Sequence, residues 1–487
     1  MNEPIRRLSV VALVMFLALM VSSSWIQFVQ AADLNADNRN VRTLYREFGA
    51  FRGPFVVSGE SVVYSVPVDT PFNYQRTYAN GPLYSHVIGY FSIGPGRSGL
   101  EDTQNTLLNG SADSLFWTRL GDLFAGKEQQ GASMELTLDA TLQQVAHDSL
   151  GDQRGAVVAL DPRTGAILAM VSHPTYDPAA LAVHSSAEAN RSYQALVADD
   201  TDPLINRAIG GDTYPPGSTF KLIVAAAALE SGITPDTMLY APQELPLPGT
   251  SIGISNFGGA PCSGTDQVSL AEALRISCNT AFADLGMDLG WGVVQRTADA
   301  FGWEESIEIP MGVTASRLPG EPNEPQVAMS SIGQFDVRAT PLQMAMVAAA
   351  IGNDGVLMKP YLVQVARAPD LSVLESTSPE VYKTALSAQN AQLLQRMMVG
   401  VVENGTGRAA QIPGIEVAGK TGTAETGLDT APHTWFVAFA PADDPVIAIA
   451  VVVENGGSLG GDGTGGAVAA PIARAVMQAR LEQVGLS

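Results

Sequence analysis

Residues 213–232 hold the pattern that most constrains the fold. They read Thr-Tyr-Pro-Pro-Gly-Ser-Thr-Phe-Lys, followed by Leu-Ile-Val-Ala-Ala-Ala-Ala-Leu-Glu-Ser-Gly. Because proline and glycine cannot begin a helix smoothly, the Pro-Pro-Gly run predicts a sharp turn into the apolar segment. The strong helix formers after it predict a buried helix that Gly232 closes. Ser218 therefore lies on the first turn of this helix, and Lys221, three residues on, shares its face.

A serine and a lysine together at the start of a buried helix can act as a nucleophile and its base. The alternative is that Ser218 only caps the helix and Lys221 extends to solvent, and the four-residue pattern alone favours this alternative. Two counts favour catalysis. Only five of the 27 basic residues are lysines, and 218–221 is the single Ser-x-x-Lys of the chain. A base must be partly neutral, which arginine cannot be.

Composition excludes several other classes of function. The chain has 487 residues, 46% of them hydrophobic and 16% charged, which indicates two or three globular domains. A net charge of −22 without a dense basic run argues against a nucleic-acid partner. Two cysteines are too few for a cysteine zinc site, and the five histidines lack metal-ligand spacing. We therefore expect neither a metal nor another cofactor.

The N-terminus carries an export signal. Arg6 and Arg7 precede an apolar run that starts at Leu8 and continues, less purely, to Val29. Positive residues before such a run predict a short cytoplasmic tail at 1–7 and a signal anchor at 8–29. From this segment alone, cleavage after Ala31 and retention as a transmembrane helix both remain open. In either case the rest of the chain lies outside the cytoplasm, where disulfides persist.

The remainder divides into two regions with different patterns. Residues 33–135 mix short β-like runs with Gly, Pro and Asn, which predicts a small, non-catalytic α+β module. Residues 150–487 hold strands near both ends and helices between them, which predicts an α/β (α+β) domain with one sheet assembled from distant parts of the chain. The predicted elements of this second region are strands at Gly155–Leu160, Ala166–Val171, Ile415–Ala418, Trp435–Ala440 and Val446–Val453, a helical middle at 216–405 and a closing helix at Val468–Val484.

Two further patterns carry residue types that suit catalysis. A capping box, Ser269-Leu-Ala-Glu272, opens a short helix, and Ser277 and Asn279 lie on the connection to the next helix. Taken alone, that pair is ordinary cap chemistry. In the segment 419–424, Gly-Lys-Thr-Gly-Thr-Ala, the glycines leave an edge strand bare, so a substrate backbone can approach it. Lys420 and Thr421 supply a cation and a hydroxyl beside that edge.

Three glycine patterns match nucleotide-binding motifs in the wrong context. Residues 414–421 satisfy the P-loop expression G-x-x-x-x-G-K-[ST], but 415–418 is itself β-like and 422–427 cannot begin a helix well. The G-x-G-x-x-G patterns at 94–99 and 461–466 lack the βαβ unit that a dinucleotide requires. We reject the P-loop and interpret the other two as loops.

With Ser-x-x-Lys at 218–221, Ser-x-Asn at 277–279 and Lys-Thr-Gly at 420–422 in this order, the chain resembles the penicillin-binding proteins. The resemblance runs well beyond these motifs, and the matching segments are 155–170, Gly333-Gln334, 340–343 and 435–441. Upstream, three motifs resemble the N-terminal module of class B, the monofunctional transpeptidases: Arg39-Asn40-x-Arg42, Arg52-Gly53 and Gly99-Leu100-Glu101. The region before residue 150 is too short for the glycosyltransferase domain of class A.

The resemblance implies a fold, an activity and a location. The fold is that of the serine β-lactamases and transpeptidases, a central antiparallel sheet flanked by helices, beside a pedestal- or dimerisation-like module at 33–135. The activity is peptidoglycan D,D-transpeptidation, which cross-links stem peptides through a serine acyl-enzyme and is inhibited by β-lactams that mimic D-Ala-D-Ala. Class B members usually keep their anchor in the cytoplasmic membrane and work with a SEDS-family membrane glycosyltransferase, so we expect both here.

The family's roles carry over onto the matching residues. Ser218 is the expected nucleophile, Lys221 its base, Ser277 a proton relay to the leaving amine, and Asn279 a ligand of the substrate amide. Lys420, Thr421 and Thr423 are expected to bind the terminal carboxylate on the strand that Gly422 keeps open. The backbone N–H groups of Ser218 and Thr423 would form the oxyanion hole. For Lys221 to work as a base, burial and the charge of Lys420 must lower its pKa from its ordinary value.

We also predict a disulfide between the two cysteines. Cys278 occupies the variable middle position of Ser-x-Asn, and Cys262 lies 16 residues before it. A loop of that size stabilises the folded chain by about 3 kcal/mol when it is closed by a disulfide. Two buried, reduced cysteines are the alternative.

Related enzymes and non-enzymes share these motifs. A serine β-lactamase usually needs a deacylating glutamate in a Glu-x-x-Leu-Asn loop, which this sequence lacks. Neither a β-lactamase nor a D,D-carboxypeptidase explains the N-terminal module. A non-catalytic scaffold or β-lactam sensor need not retain Ser218, Lys221 and Lys420 together.

Overall fold

A computed structural model describes residues 2–30, 47–211, 213–425, 427 and 430–486. The Arg39-Asn40-x-Arg42 motif and the predicted cleavage position at Ala31 lie outside the described residues. The first helix, α1, spans Asn2–Ser24, and a π-helical turn extends it through Val29. Residues Glu3–Val29 are long and apolar enough to cross a membrane, and their side chains pack against no other part of the described chain. The structure thus holds one candidate membrane span among the described residues.

A small module follows the N-terminal helix. Its elements and the helix after it are β1 Phe55–Val57, β2 Glu60–Pro67, β3 Tyr74–Tyr78, α2 Gly81–Ile88, β4 Phe91–Ser92, β5 Gly96–Arg97, α3 Gly99–Thr103, α4 Asn105–Leu108, α5 Phe116–Ala125, β6 Ser133–Leu136 and α6 Ala140–Leu150.

The larger part of the chain forms the second region. Its elements are β7 Gly155–Leu160, β8 Ile167–His173, α7 Ser186–Val197, α8 Lys221–Glu230, β9 Met238–Tyr240, β10 Glu244–Pro246, β11 Gly253–Ser255, β12 Gln267–Ser269, α9 Leu270–Ile276, α10 Asn279–Leu289, α11 Trp291–Ala300, α12 Glu324–Ser331, α13 Pro341–Gly352, β13 Val356–Met358, β14 Val363–Arg367, β15 Val373–Ser376, β16 Val381–Thr384, α14 Ala388–Glu403, β17 Ala418–Ala424, β18 His433–Ala440, β19 Ile447–Val453 and α15 Ala470–Gln483.

A five-stranded antiparallel sheet forms the centre of this region, in the order β17-β18-β19-β7-β8. Alternate residues of each strand face opposite sides, as the pleat requires. On one side Val158 and Val437 join the core that contains α8 and α13. On the other side Val157 and Phe436 pack with α6 and α15. Because both faces are covered, these strands read as continuous apolar runs in the sequence.

The strand predicted at Ile415–Ala418 was placed too early. Ile412 and Ile415 bridge each other across a tight turn at Gly414, whose φ is +79°, and β17 begins only at Ala418. The Lys-Thr-Gly motif is therefore part of the edge strand and does not follow it. The predicted helical middle was also too simple, because three two-stranded sheets, β10-β11, β12-β9 and β13-β16, interrupt it.

A second sheet joins the two regions of the chain. Its strand order is β15-β14-β6-β1-β2-β3, so two of its six strands come from residues 363–376 of the larger region. β14 pairs antiparallel with β6, and β6 pairs parallel with β1. The small module and the larger region therefore share one hydrogen-bonded sheet.

A buried charge network explains two of the upstream motifs. Glu101 accepts from Arg52 through Oε2 at 2.6 Å and from Arg76 through Oε1 at 2.6 Å, and all three residues are buried. The two guanidinium groups lower the pKa of Glu101, against the effect of its burial. A Cβ at Gly53 would lie 1.8 Å from the backbone O of Ala132, so only glycine fits there. The Arg52-Gly53 and Gly99-Leu100-Glu101 motifs thus hold the module together.

Candidate active site

Ser218 lies on a 3-10 turn, Gly217–Phe220, that leads directly into α8. Gly217 has a φ of +54°, and a Cβ on it would lie 2.8 Å from the backbone O of Thr423. This glycine therefore allows the turn to pack closely against β17. The indole Nε1 of Trp435 donates to the backbone O of Pro215 at 3.0 Å and fixes the start of the turn to β18. Ser218 is thereby held beside the edge strand.

Lys221 is the first residue of α8, and none of its surface is exposed to solvent. Its Nζ donates to the backbone O of Ser277 at 2.8 Å and to Oδ1 of Asn279 at 2.8 Å. A third contact joins Nζ to Oγ of Ser277 at 3.3 Å. Among the described residues, no hydrogen bond joins Lys221 to Ser218. The structure therefore brings Lys221 and the Ser-x-Asn segment together across 56 residues of sequence.

The surroundings of Lys221 favour its neutral form. Burial, and secondarily the charge of Lys420, hold the pKa of Lys221 well below its usual value. A neutral amine has two N–H groups and one lone pair. In the neutral form the two bonds at 2.8 Å can use both N–H groups, and the lone pair is the proton acceptor. This arrangement fits a general base.

Ser277 lies between two buried amines. Its Oγ is 2.9 Å from Nζ of Lys420 and 3.3 Å from Nζ of Lys221. Ser277 has a φ of +62°, in the left-handed region that a residue with a side chain seldom occupies. Such strain is retained where the surrounding structure enforces it, and it is common at functional sites. The hydroxyl is thus in place to pass a proton between the two amines.

Lys420 extends from β17 into the same cluster and is also fully buried. It donates to Oγ of Ser277 and to the backbone O of Thr421, both at 2.9 Å. Burial lowers the pKa of Lys420 to about 7. Around neutral pH this amine therefore exists in both charged and neutral forms.

The edge strand presents Thr421, Gly422 and Thr423 beside the Ser218 turn. A Cβ at Gly422 would lie 2.9 Å from the backbone O of Pro216, so glycine keeps the strand close to the turn. The hydroxyl of Thr421 pairs with that of Thr406 at 2.6 Å. We did not identify Thr406 from the sequence. The only local sequence signal for Thr406 is the Gly-Thr-Gly segment that contains it after α14. Its partner Thr421 lies 15 residues further along the chain.

Asn256 is a second residue that sequence reasoning missed. Its Oδ1 accepts from the backbone N of Asn279 at 2.8 Å and of Thr280 at 3.2 Å, and so caps α10. The backbone O of the preceding Ser255 accepts from Nδ2 of Asn279 at 3.1 Å. Both side-chain atoms of Asn279 are therefore engaged, Oδ1 with Lys221 and Nδ2 with Ser255. No pattern in the sequence links a loop asparagine to a helix 23 residues away.

The same loop is covalently joined to the site. Cys262 and Cys278 form a disulfide, with their Cα atoms 5.8 Å apart. The bridge connects the segment after Asn256 to the central residue of the Ser-x-Asn motif.

Comparisons with known proteins decide the family. A family model of the penicillin binding protein transpeptidase domain matches residues 155–478, and a model of the penicillin binding protein A dimerisation domain matches residues 52–134. The chain belongs to the class B penicillin-binding proteins. The resemblance on which the fold class was predicted is thereby confirmed.

Similar relatives of this penicillin-binding protein match over nearly its whole length. Peptidoglycan D,D-transpeptidase PbpA of Mycolicibacterium smegmatis is 44% identical over 99% of this chain and 100% of its own length. The structure of penicillin-binding protein A from Mycobacterium tuberculosis as its ceftriaxone acyl-enzyme complex superimposes with a TM-score of 0.87 at 43% identity, over 90% of this chain and 100% of that one. A penicillin G acyl-enzyme complex of the same protein superimposes with a TM-score of 0.85 at 43% identity, over 89% and 100% of the two chains.

We expect Asn256→Ala to reduce the rate of acylation by benzylpenicillin about fivefold, because loss of a cap typically costs about 1 kcal/mol and here displaces Asn279 from Lys221. The rate is measured with the purified protein at pH 7. Asn323→Ala is the matched control, since Asn323 caps α12 in the same way through the backbone N of Gln326. Equal rates in the two variants would contradict the role given to Asn256.

Proposed function

We propose that Ser218 is the nucleophile and Lys221 the base of this peptidoglycan D,D-transpeptidase. The observation that supports the proposal is the position of Lys221: a fully buried amine, three residues from Ser218, that is held by hydrogen bonds to Ser277 and Asn279 and lies next to the Lys420 cluster. The names of the relatives from M. smegmatis and M. tuberculosis, both peptidoglycan D,D-transpeptidases, support this activity.

Acylation begins when Oγ of Ser218 attacks the carbonyl carbon of the penultimate D-Ala and Lys221 takes the hydroxyl proton. The backbone N–H groups of Ser218 and Thr423 stabilise the oxyanion of the tetrahedral intermediate. Lys420, Thr421 and Thr423 hold the terminal carboxylate on the strand opened by Gly422. Asn279 holds the stem amide through the second N–H of Nδ2 and the second lone pair of Oδ1, which its bonds to Ser255 and Lys221 leave available.

The intermediate collapses when the C–N bond breaks. Ser277 gives its proton to the departing amine of D-Ala and is reprotonated by Lys221, with which it is in contact. An amine from a neighbouring stem then attacks the ester carbonyl and gives a proton to Lys221. The C–O bond to Ser218 breaks, Lys221 returns the proton to Oγ of Ser218, and the cross-linked peptide leaves. A β-lactam follows the first half of this sequence and remains on Ser218 as a stable ester.

We propose the following organisation across the membrane. Residues 1–7 lie in the cytoplasm, 8–29 form a retained anchor, and the non-catalytic module at 33–135 and the transpeptidase domain at 150–487 lie outside. The apolar helix with Arg6 and Arg7 before it supports this orientation. A SEDS-family glycosyltransferase, which would supply the glycan strands to be cross-linked, is the proposed membrane partner.

The purified full chain tests the function when it is given an uncross-linked peptidoglycan polymer. We expect free D-Ala and cross-linked stems in equal amounts, and no product from Ser218→Ala. Ser231→Ala is the control, because Ser231 caps the other end of α8. Free D-Ala without cross-links would identify a D,D-carboxypeptidase, and an active Ser218→Ala variant would refute the nucleophile.

A further inference from the structure

The six-stranded sheet has two different ends. At one end it contacts the central sheet of the transpeptidase domain, where Oγ1 of Thr137 donates to the backbone O of Ile167 at 2.7 Å. At the opposite end β1 and β6 begin and β14 finishes, because Phe55 pairs with Met134 and Arg367 pairs with Ser133. The segments at this opposite end are 51–54, 68–73, 109–132 and 368–372, and we refer to them as the distal end of the module.

The described chain resumes at residue 47, where Phe48 stacks on Phe91, and then passes through the distal end at 51–53. The backbone N of Gly53 donates to the backbone O of Leu108 at 2.9 Å, and that of Gly131 donates to the backbone O of Phe51 at 3.3 Å. Residues 30 and 47 are joined by a stretch of chain that can span at most about 60 Å. The distal end is therefore within reach of the membrane that the anchor would cross.

The distal end also exposes large apolar side chains on two separate segments. Outside the N-terminal helix, the five most exposed large apolar residues of the described chain are Phe124 (84%), Phe257 (77%), Leu123 (74%), Leu371 (72%) and Ile252 (69%). Phe124 and Leu123 belong to α5, and Leu371 belongs to the turn between β14 and β15. Three of the five thus lie at one end of the molecule, although they come from segments about 250 residues apart in the sequence.

We propose that the distal end lies in the lipid headgroup layer of the bilayer that the anchor crosses, with Leu123, Phe124 and Leu371 in contact with lipid. This inference rests on the proposed anchor. Amphipathic surface segments bind membranes by burying leucine and aromatic side chains at the boundary between headgroups and acyl chains. The anchor, α5 and the turn between β14 and β15 would then attach the chain to the membrane at three points. Three points of attachment set the orientation of the transpeptidase domain above the membrane.

The test uses the full chain in lipid nanodiscs of phosphatidylcholine and phosphatidylglycerol, without any other protein. Single-cysteine variants Phe124→Cys and Leu371→Cys carry an environment-sensitive nitrobenzoxadiazole label. Both native cysteines form the disulfide and do not react. Val197→Cys is the control, since Val197 is 54% exposed on α7 of the transpeptidase domain. We expect nitroxide lipids labelled near the headgroup to quench positions 124 and 371 at least about threefold more than position 197.

Equal quenching at all three positions would overturn the inference. A label at position 124 or 371 that becomes shielded from water only after another membrane protein or a second copy of the chain is added would overturn it too. Resistance of the full chain to extraction from vesicles by carbonate is measured in parallel. A chain that resists extraction but shows no quenching at 124 and 371 refutes this inference alone. A chain that is extracted refutes the anchor as well. Labelling by fluorescent penicillin verifies that each variant is folded.

Discussion

The Lys221→Gln variant is expected to react with benzylpenicillin about 10³-fold more slowly than the unaltered chain, because general-base catalysis typically contributes 10²- to 10⁴-fold. Glutamine retains N–H donors but has no basic lone pair. It therefore separates the loss of the base from the loss of the bonds to Ser277 and Asn279. Lys221→Arg is expected to restore nothing, since a guanidinium group stays protonated in proteins.

The second-order rate of acylation at pH 7 measures this effect, with thermal unfolding as the check on folding. Lys383→Gln is the charge-matched control: Lys383 pairs with Glu305 outside the site, and we expect its removal to leave the rate unchanged. A Lys221→Gln variant that reacts within threefold of the unaltered chain would show that another group takes the proton of Ser218.

Replacement of Lys420 is expected to have the second large effect on acylation. This effect is measured as a change in the dependence of the acylation rate on pH. In the unaltered chain the acylation rate rises with pH as Lys221 loses its proton. This rising limb of the profile lies at a pH well below the usual lysine pKa, because burial and Lys420 lower the pKa of Lys221. The rate falls again above pH 7, since Lys420, with a pKa of about 7, then loses the charge that binds the substrate carboxylate.

In Lys420→Gln the charge next to Lys221 is absent, so the pKa of Lys221 increases and the rising limb moves to higher pH. The falling limb disappears, and we expect the rate at pH 7 to drop about 10²-fold through the loss of a charge-assisted contact to the carboxylate. The measurement is the acylation rate from pH 5 to 10, with Lys383→Gln as the control. A rising limb that stays in place or moves to lower pH would contradict the proposed coupling of the two lysines.

The sequence predicted the local parts of the site better than the distant ones. Ser218 lies on the 3-10 turn that leads into α8 and Lys221 is the first residue of α8, so the helical spacing in the sequence was enough to place both at the start of one helical segment. The order of the three motifs was enough to identify the family. The contact of Lys221 with Ser277, and of Ser277 with Lys420, depends on how α8, α9 and β17 pack, which no local pattern specifies.

The other features that the sequence did not predict also depend on how separate segments of the chain are placed. Asn256 caps a helix that begins 23 residues later, and such a cap cannot be recognised before the loop is placed. The shared six-stranded sheet depends on β14 reaching β6, a pairing across more than 200 residues. β17 begins later than predicted because Ile415 bridges Ile412 in a local turn and not a neighbouring strand. The roles of the individual site residues remain predictions that the variants above can test.

The central claim is that a buried, neutral lysine activates the hydroxyl of Ser218. Mass spectrometry of the full chain after reaction with benzylpenicillin tests it most directly, with peptide mapping to locate the adduct. We predict one penicilloyl group per chain, on the peptide that contains Ser218, and no adduct on Ser218→Ala. A folded chain that remains unmodified, or that carries the penicilloyl group on any other residue, would contradict the account.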